Sequence, residues 1–228
     1  MAPETSFDAV ANVGVRDGRI VAITTEVITG GETIEAADHV VTAGFIDTHY
    51  HWPRPMGNKL ALRDGRTSLM DLEMGTLGTY MDQWYAEQEG NNQTNYGAAV
   101  AHEFVLALVL DGITTRDTPE APNHRNSGKT GWSSTRPDIE TGNEILRVLD
   151  AGLTAGGVGI GSTLGYMRDG VSAREAFEIQ KLAGLYGRQS AFHFRYTPGT
   201  DTMEAYGIQE LLANAAVLGA LGNSVPFQ

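Results

Sequence analysis

The sequence predicts an α/β protein in which a β-hairpin precedes short apolar strands that alternate with amphipathic helices. An Asp17-Gly18 pair lies between two short apolar runs, which is a strong hairpin signal. A later apolar run ends in a His-x-His pair at residues 49–51. Beyond it, apolar residues recur with helical spacing, for example at 145–153, between strand-like runs. We therefore predict a small β part over residues 1–40 and a larger α/β part over 41–228.

Charge and composition narrow the class of function. The 228 residues carry a formal net charge of −12, which disfavours nucleic acid because phosphate contacts need clustered Lys and Arg. No run is long enough to cross a membrane, and the N-terminus lacks a basic-then-apolar signal pattern. The absence of cysteine removes disulfides and any thiolate nucleophile or ligand. We expect a cytoplasmic protein with neither a nucleic-acid nor a membrane partner.

The His49-x-His51 pair is the clearest chemical signal. Alternate residues of a strand point to one face, so a strand through this segment would present both imidazoles side by side. Neutral imidazole suits zinc and related divalent metals. A catalytic zinc takes about three protein ligands, so the pair is half of a site. The alternative is two ordinary polar histidines at the end of a strand.

The order of segments around this pair resembles the amidohydrolase superfamily. A hairpin at 15–23 is followed by a short polar link and by a buried strand that runs through 36–47 into the two histidines. The resemblance implies a small β-sandwich followed by a metal-dependent (β/α)8 TIM-like barrel, of which only about the first five βα units are present here. It extends over nearly the whole chain and is strongest to the D-aminoacylase (N-acyl-D-amino-acid deacylase) branch.

A bridging metal ligand is the next feature that the resemblance implies. Family members place a carboxylated lysine, a glutamate or a cysteine between the first histidine pair and the later histidines. No lysine stands convincingly at the end of a strand here, and the chain has no cysteine. The segment 63–73 reads as a strand that ends in Asp71 and Glu73 on one face. Glu73 is the candidate for the bridging ligand, and Asp71 remains the alternative.

The segment 95–103 reads as a strand that leads into a helix, and it resembles the strand 3 region of the same branch. Ala101 stands where that branch has glycine. Asp117 or Glu120 could also supply a strand 2 carboxylate, but they follow this segment, which favours Glu73. We expect His102 to be structural.

Residues 118–138 are rich in Pro, Asn, Ser, Gly and Thr, and they predict a long loop in which His124 is solvated. A helix from Asp138 to about Gly156 should bury one apolar side.

The glycine-rich run 157–165 fails the spacing of a dinucleotide-binding loop. It fits a barrel strand whose small residues allow close approach to a ligand, with Ser162 and Thr163 lining the site.

Three further site residues follow from the resemblance. In the D-aminoacylase branch a Ser-Thr pair is followed closely by a tyrosine that contacts the reacting amide, and Tyr166 matches it. After a helix that begins at a Ser172 capping box, the strand 190–196 carries His193, which resembles the strand 5 metal ligand. Arg195 would hold a substrate carboxylate with its bidentate fork, or else form an intramolecular ion pair.

The resemblance therefore implies an amidohydrolase that cleaves the amide bond of N-acyl-D-amino acids. One or two zinc ions would be held by His49, His51, Glu73 and His193, with Tyr166 steadying the oxyanion. The family's strand 6 histidine and strand 8 aspartate have no counterpart in these residues, so we expect a fragment of a longer enzyme. A cyclic amidase of the hydantoinase or dihydroorotase type and a catalytically inactive partial barrel are the alternatives. The expected partner is a small-molecule N-acyl amino acid, and homo-oligomerisation is left open.

Overall fold

The computed structural model describes residues 6–51, 54–114, 124–196 and 207–227. It divides into two compact units, Met1–Phe45 and Ile46–Gln228. Within the described residues, no helix is both long and apolar enough to cross a membrane.

The first unit contains the predicted hairpin. Strands β1 (Asn12–Arg16) and β2 (Arg19–Thr24) pair antiparallel. Asp17 and Gly18 between them have φ values of 51° and 71°. A two-residue type I′ turn requires positive φ at both central positions, which explains why the Asp-Gly pair predicted the hairpin correctly.

The second unit is a curled sheet with helices between its strands. Its strand order is β3-β4-β5-β6-β7-β8, and each neighbouring pair from β4 to β8 is parallel. The strands are β3 (Phe45–Asp47), β4 (Arg66–Thr76), β5 (Asn95–Ala101), β6 (Gly159–Ser162), β7 (Gln189–His193) and β8 (Ser224–Phe227). Sequential parallel pairing with helical connections is the pattern of a (β/α) barrel, so the predicted partial barrel is confirmed.

Seven α-helices lie in the described part of this unit. They are α1 (Pro55–Arg63), α2 (Met81–Gln88), α3 (His102–Asp111), α4 (Gly131–Ser134), α5 (Ile139–Thr154), α6 (Ala173–Leu185) and α7 (Gly207–Leu218). The two predicted helix starts are confirmed, because Asp138 accepts a hydrogen bond from Thr141 N at 2.8 Å and Ser172 accepts one from Glu175 N at 3.1 Å. The segment predicted as one long loop contains α4 and a 3₁₀ turn at His124–Asn126.

The core lies between the sheet and its helices. Helix α5 buries Ile145, Leu149 and Leu153, as its apolar spacing predicts, and helix α3 buries Phe104. The sheet contributes a set of buried side chains that includes Val100, Ile160 and Phe192. The helices cover the apolar side chains of the sheet. In (β/α) barrels, polar functional side chains lie at the carboxyl ends of the strands.

Candidate metal centre

Three imidazoles converge on the carboxylate of Glu73. His49 Nε2 and His51 Nε2 lie 2.6 and 3.1 Å from Glu73 Oε2. His193 Nδ1 lies 3.0 Å from Glu73 Oε1. The four residues that the sequence analysis named as metal ligands are therefore brought together, although they span three separate segments of the chain.

The two N-terminal histidines reach this point differently from the prediction. Strand β3 ends at Asp47, so His49 and His51 lie beyond it rather than within it. The chain then docks against β4 through an isolated antiparallel bridge between His49 and Asp71 and a 3.1 Å hydrogen bond from Tyr50 N to Met70 O. This local docking, rather than strand alternation, brings both imidazoles to Glu73.

Glu73 itself lies in an irregularity of β4. The register with β5 pairs Asp71 with Ala98 and next pairs Thr76 with Val100, so β4 contains extra residues here. Bulges of this kind re-aim side chains and are frequent next to active sites. Gly75 within the bulge has φ of 71°, a left-handed conformation that glycine adopts without steric cost.

Close packing against β6 holds the bulge in place. A Cβ atom added to Gly161 would overlap the carbonyl oxygens of Leu72 and Glu73. Glycine in the run 157–165 therefore permits a close backbone approach, as predicted, but the approaching group is β4 rather than a ligand.

Asp71, the alternative ligand, supports the cluster from behind. Its Oδ1 lies 3.0 Å from His51 Nδ1 and accepts hydrogen bonds from Met74 N at 3.1 Å and Gly75 N at 3.0 Å. A carboxylate that binds the second nitrogen of a ligating histidine fixes its ring orientation and tautomer. This geometry favours Glu73 over Asp71 as the carboxylate that would face a metal ion.

The cluster has a distinctive electrostatic character. Hydrogen bonds to Asp71 and then to Glu73 raise the pKa of His51 to about 10. Burial would raise the pKa of Glu73, but hydrogen bonds from His51 and His49 outweigh it and lower that pKa below its usual value. Metal ligation requires a neutral imidazole, so a metal ion at this cluster would compete with protons for His51.

The residues present fit a divalent metal. One ligand atom from each of His49, His51 and Glu73 lies within 4.8 Å of the other two. Imidazole and carboxylate are ligands that zinc accepts. The side chains of His49 and His51 are 38% and 34% exposed, whereas Glu73 is 5% exposed. The cluster therefore has a buried anionic base and an accessible imidazole face.

Aromatic rings flank the two outer histidines. The Tyr166 ring lies 4.9 Å from the His193 ring at an interplanar angle of 32°. The Phe227 ring of β8 lies 4.4 Å from the His49 ring. The Tyr166 residue is 51% exposed.

The two residues predicted to line the site lie behind it instead. Ser162 and Thr163 are 0% and 3% exposed. Ser162 Oγ lies 2.8 Å from His102 Nδ1, and Thr163 Oγ1 donates to Glu103. Their hydroxyls therefore serve a buried hydrogen-bond network, and the geometry gives them a supporting position.

Arg195 pairs with a carboxylate of the same chain. Its Nε and Nη2 donate to both carboxylate oxygens of Glu210 at 3.0 and 2.6 Å, and Nη1 donates to Arg168 O at 3.2 Å. The side chain is 5% exposed. This is the intramolecular ion pair that the sequence left open, and it favours a structural role over contact with a substrate carboxylate.

A buried polar network surrounds Glu103, and no motif in the sequence predicts it. His124, expected to be solvated, is buried and bonds Glu103 Oε1 through Nε2, so that expectation was wrong. Arg125 donates from Nε and Nη2 to the two oxygens of Glu103 at 2.6 and 2.7 Å. The available signal was the acidic residue Glu103 in the first turn of the otherwise apolar run of helix α3, since such a charge is buried only when paired.

His102 is fully buried, and its Nε2 lies 2.9 Å from Glu175 Oε1, which agrees with its expected structural role. Asp117 and Glu120, the disfavoured alternatives for a strand 2 carboxylate, lie outside the described residues.

Solved structures with the same fold are D-aminoacylases and a related deacylase. One D-aminoacylase structure, described as defining a novel subset of amidohydrolases, matches with a TM-score of 0.72 at 19% identity over 96% of this chain and 47% of that chain. Another, from work on the binuclear metal centre of D-aminoacylase, gives 0.70 at 19% identity over 92% and 46%. N-acyl-D-glutamate deacylase from Bordetella bronchiseptica, in complex with zinc and a phosphonate mimic of the tetrahedral intermediate, gives 0.58 at 20% identity over 92% and 45%.

Sequence comparison adds one shorter match. A dihydroorotase of Streptococcus pneumoniae serotype 4 is 36% identical over 78 residues, which are 34% of this chain and 16% of that protein. No protein-family model matches the chain. The resemblance of this chain to the D-aminoacylase branch is thus confirmed at the level of the fold, and the chain spans less than half the length of the solved proteins it matches.

Proposed function

We propose that this chain provides the metal-binding part of an amidohydrolase that cleaves the amide bond of N-acyl-D-amino acids. The observation that carries the proposal is the convergence of His49, His51 and His193 on the buried carboxylate of Glu73. Three imidazoles and one carboxylate form a donor set suited to zinc.

The proposed cofactor is zinc, held by His49, His51, Glu73 and His193. Bound zinc lowers the pKa of a coordinated water towards ~7 and polarises a carbonyl group, which together supply a nucleophile and an electrophile for amide hydrolysis.

The remaining residues of the site orient these groups. Asp71 accepts from His51 Nδ1 and so fixes the ring with Nε2 towards Glu73. Tyr166, whose ring packs on His193 and which is half-exposed, would donate a hydrogen bond from its hydroxyl to the oxyanion that develops when an amide carbonyl is attacked. The ion pair between Arg195 and Glu210 would hold the backbone that follows His193 in position.

The substrate class rests on the solved proteins with the same fold, two of which are a D-aminoacylase and an N-acyl-D-glutamate deacylase. A second candidate is a cyclic amidase, and it is favoured by the 36% identity to a dihydroorotase over 78 residues. Both reactions hydrolyse an amide bond. They differ in whether the amide is part of a ring.

The test combines zinc titration with a substrate panel. Isothermal titration should show zinc binding that Glu73→Gln weakens strongly, because the neutral amide removes the anionic donor. The matched control is His39→Gln, since His39 is exposed and lies outside the cluster in the first unit. The zinc-loaded protein is then assayed on N-acetyl-D-amino acids, their L enantiomers, hydantoin and dihydroorotate.

Hydrolysis of the D substrates alone would support the main proposal, and hydrolysis of the cyclic amides alone would support the second candidate. Absence of zinc binding, or equal binding by Glu73→Gln, would contradict both. Zinc binding without turnover of any substrate would support the third interpretation, a partial barrel that binds metal without catalysis.

A further inference from the structure

A stack of three side chains leads from a buried ion pair to one of the proposed metal ligands. The Arg125 guanidinium carbon lies 4.4 Å from the centroid of the Tyr166 ring. The Tyr166 ring lies 4.9 Å from the His193 ring, tilted by 32°. His193 Nδ1 in turn lies 3.0 Å from Glu73 Oε1. The stack therefore ends at the metal cluster.

The far end of the stack is rigidly anchored. Arg125 contacts both carboxylate oxygens of Glu103 in a bidentate pair, at 2.6 and 2.7 Å. Glu103 is 2% exposed and also bonds His124 and Thr163. A planar guanidinium held by a bidentate carboxylate is pre-organised, so its flat face is fixed as well as its charge.

The near end of the stack needs such a support. The terminal torsion of a histidine side chain has a broad energy minimum, so packing must select the angle of its ring. His193 is the last residue of β7, and its side chain is 27% exposed. The Tyr166 ring packs against it from the segment that follows β6, and the guanidinium face lies over the Tyr166 ring itself.

We propose that Arg125 and Tyr166 are positioning residues that hold the His193 ring at the angle required for metal binding. This inference rests on the proposed metal site, and it assigns the Tyr166 ring a role separate from that of its hydroxyl. The ring restrains His193, whereas the hydroxyl would act on the substrate. Arg125 acts only through Tyr166.

The test measures metal affinity rather than turnover. Tyr166→Phe keeps the ring and should bind zinc within about twofold of the wild type, even if hydrolysis is lost. Tyr166→Leu and Arg125→Met should weaken zinc binding by about tenfold, the lower end of the range seen when an outer-shell partner of a metal ligand is removed. Arg125→Lys keeps the charge without the planar face and should fall between them.

Cobalt provides a spectroscopic readout of the same restraint. The visible absorption bands of Co²⁺ depend on ligand geometry, so Tyr166→Leu and Arg125→Met should shift them, whereas Tyr166→Phe should not. The matched control is Arg136→Met, because Arg136 is exposed and bonds only the Asp169 carbonyl among the contacts described. Circular dichroism of each variant monitors folding. If Arg125→Met folds poorly, Tyr166→Leu still tests the proposal, because Tyr166 is half-exposed and its replacement disturbs the core less.

The outcomes separate the two proposals. Zinc binding by the wild type together with unchanged affinity and cobalt spectra in Tyr166→Leu would overturn the positioning role and leave the metal site intact. A loss in Tyr166→Phe as large as in Tyr166→Leu would also overturn it, because the hydroxyl and not the ring would then matter. No zinc binding by the wild type would overturn the proposed function and this inference with it.

Discussion

Replacing Glu103 with glutamine should destabilise the fold by an amount that depends on pH. Glu103 is buried at the start of helix α3, where it accepts hydrogen bonds from Arg125 Nε and Nη2 and from Thr163, and bonds His124 Nε2. Glutamine has nearly the same shape but carries no charge and offers one acceptor oxygen instead of two. The substitution therefore leaves a partly buried guanidinium without its counter-charge.

The magnitude follows from the pKa of the carboxyl group. Burial alone would raise the pKa of Glu103, but the hydrogen bonds from His124 and Arg125 outweigh it and lower the pKa from 4.5 to about 2. That difference corresponds to about 3 kcal/mol of unfolding free energy, at about 1.4 kcal/mol per pKa unit. Because folding depresses this pKa, the stabilisation is complete above the ordinary value of 4.5 and is lost as pH falls towards about 2.

Urea denaturation of the wild type and of Glu103→Gln, followed by circular dichroism at a series of pH values, measures this contribution. We expect the two proteins to differ by about 3 kcal/mol near neutral pH and by progressively less below pH ~4.5. Glu32→Gln is the control, since Glu32 is exposed in the first unit, and it should change the unfolding free energy by less than about 0.5 kcal/mol. A Glu103→Gln difference that stays constant across the acid range would refute the assignment of the stabilisation to this carboxylate.

Three other outcomes are expected. Leu149→Ala should lower the unfolding free energy by about 2–5 kcal/mol because Leu149 is fully buried, whereas Ile139→Ala on the exposed start of the same helix should cost less than about 0.5 kcal/mol in the same urea assay. Gly161→Ala should push β6 away from the backbone of Glu73, which would weaken zinc binding in a calorimetric titration and lower stability by at least about 1 kcal/mol. Zinc at about 100 times its dissociation constant should raise the unfolding free energy by about 2.7 kcal/mol, and a chelator should reverse this increase. A melting temperature that zinc leaves unchanged would contradict a zinc site in the folded state.

Local chemistry explains which parts of the fold could be predicted. The Asp17-Gly18 turn, the Asp138 cap and the Ser172 cap each act within a few residues, and the structure contains the hairpin and both helices. The strand that leads into helix α3 was equally visible as an apolar run followed by helical spacing. These features depend on neighbours in the sequence, so one sequence is enough to find them.

The departures at Arg195, His124 and Glu73 come from contacts between distant segments. Arg195 and Glu210 are separated by residues outside the described part of the chain, and Glu103 meets His124 and Arg125 across another such segment. Strand periodicity placed Glu73 on the correct strand but not in a bulge, because the bulge is selected by packing against the neighbouring strands. Side-chain pairs between distant segments leave no local pattern in the sequence. The one available sign was the charged Glu103 within an apolar helix, which implies a buried partner.

The order of the proposed metal ligands along the chain has a consequence for how the site would assemble. His49, His51 and Glu73 lie within one short stretch of the chain. His193, in β7, follows only after two more strands and five helices of the described residues, and Phe227, which packs on His49, comes later still. Contacts between residues far apart in sequence form slowly, and chains fold from the N-terminus as they emerge from the ribosome. In the proposed metal site, the emerging chain would therefore present His49, His51 and Glu73 before His193, and a metal ion bound at that stage would favour the docking of β7.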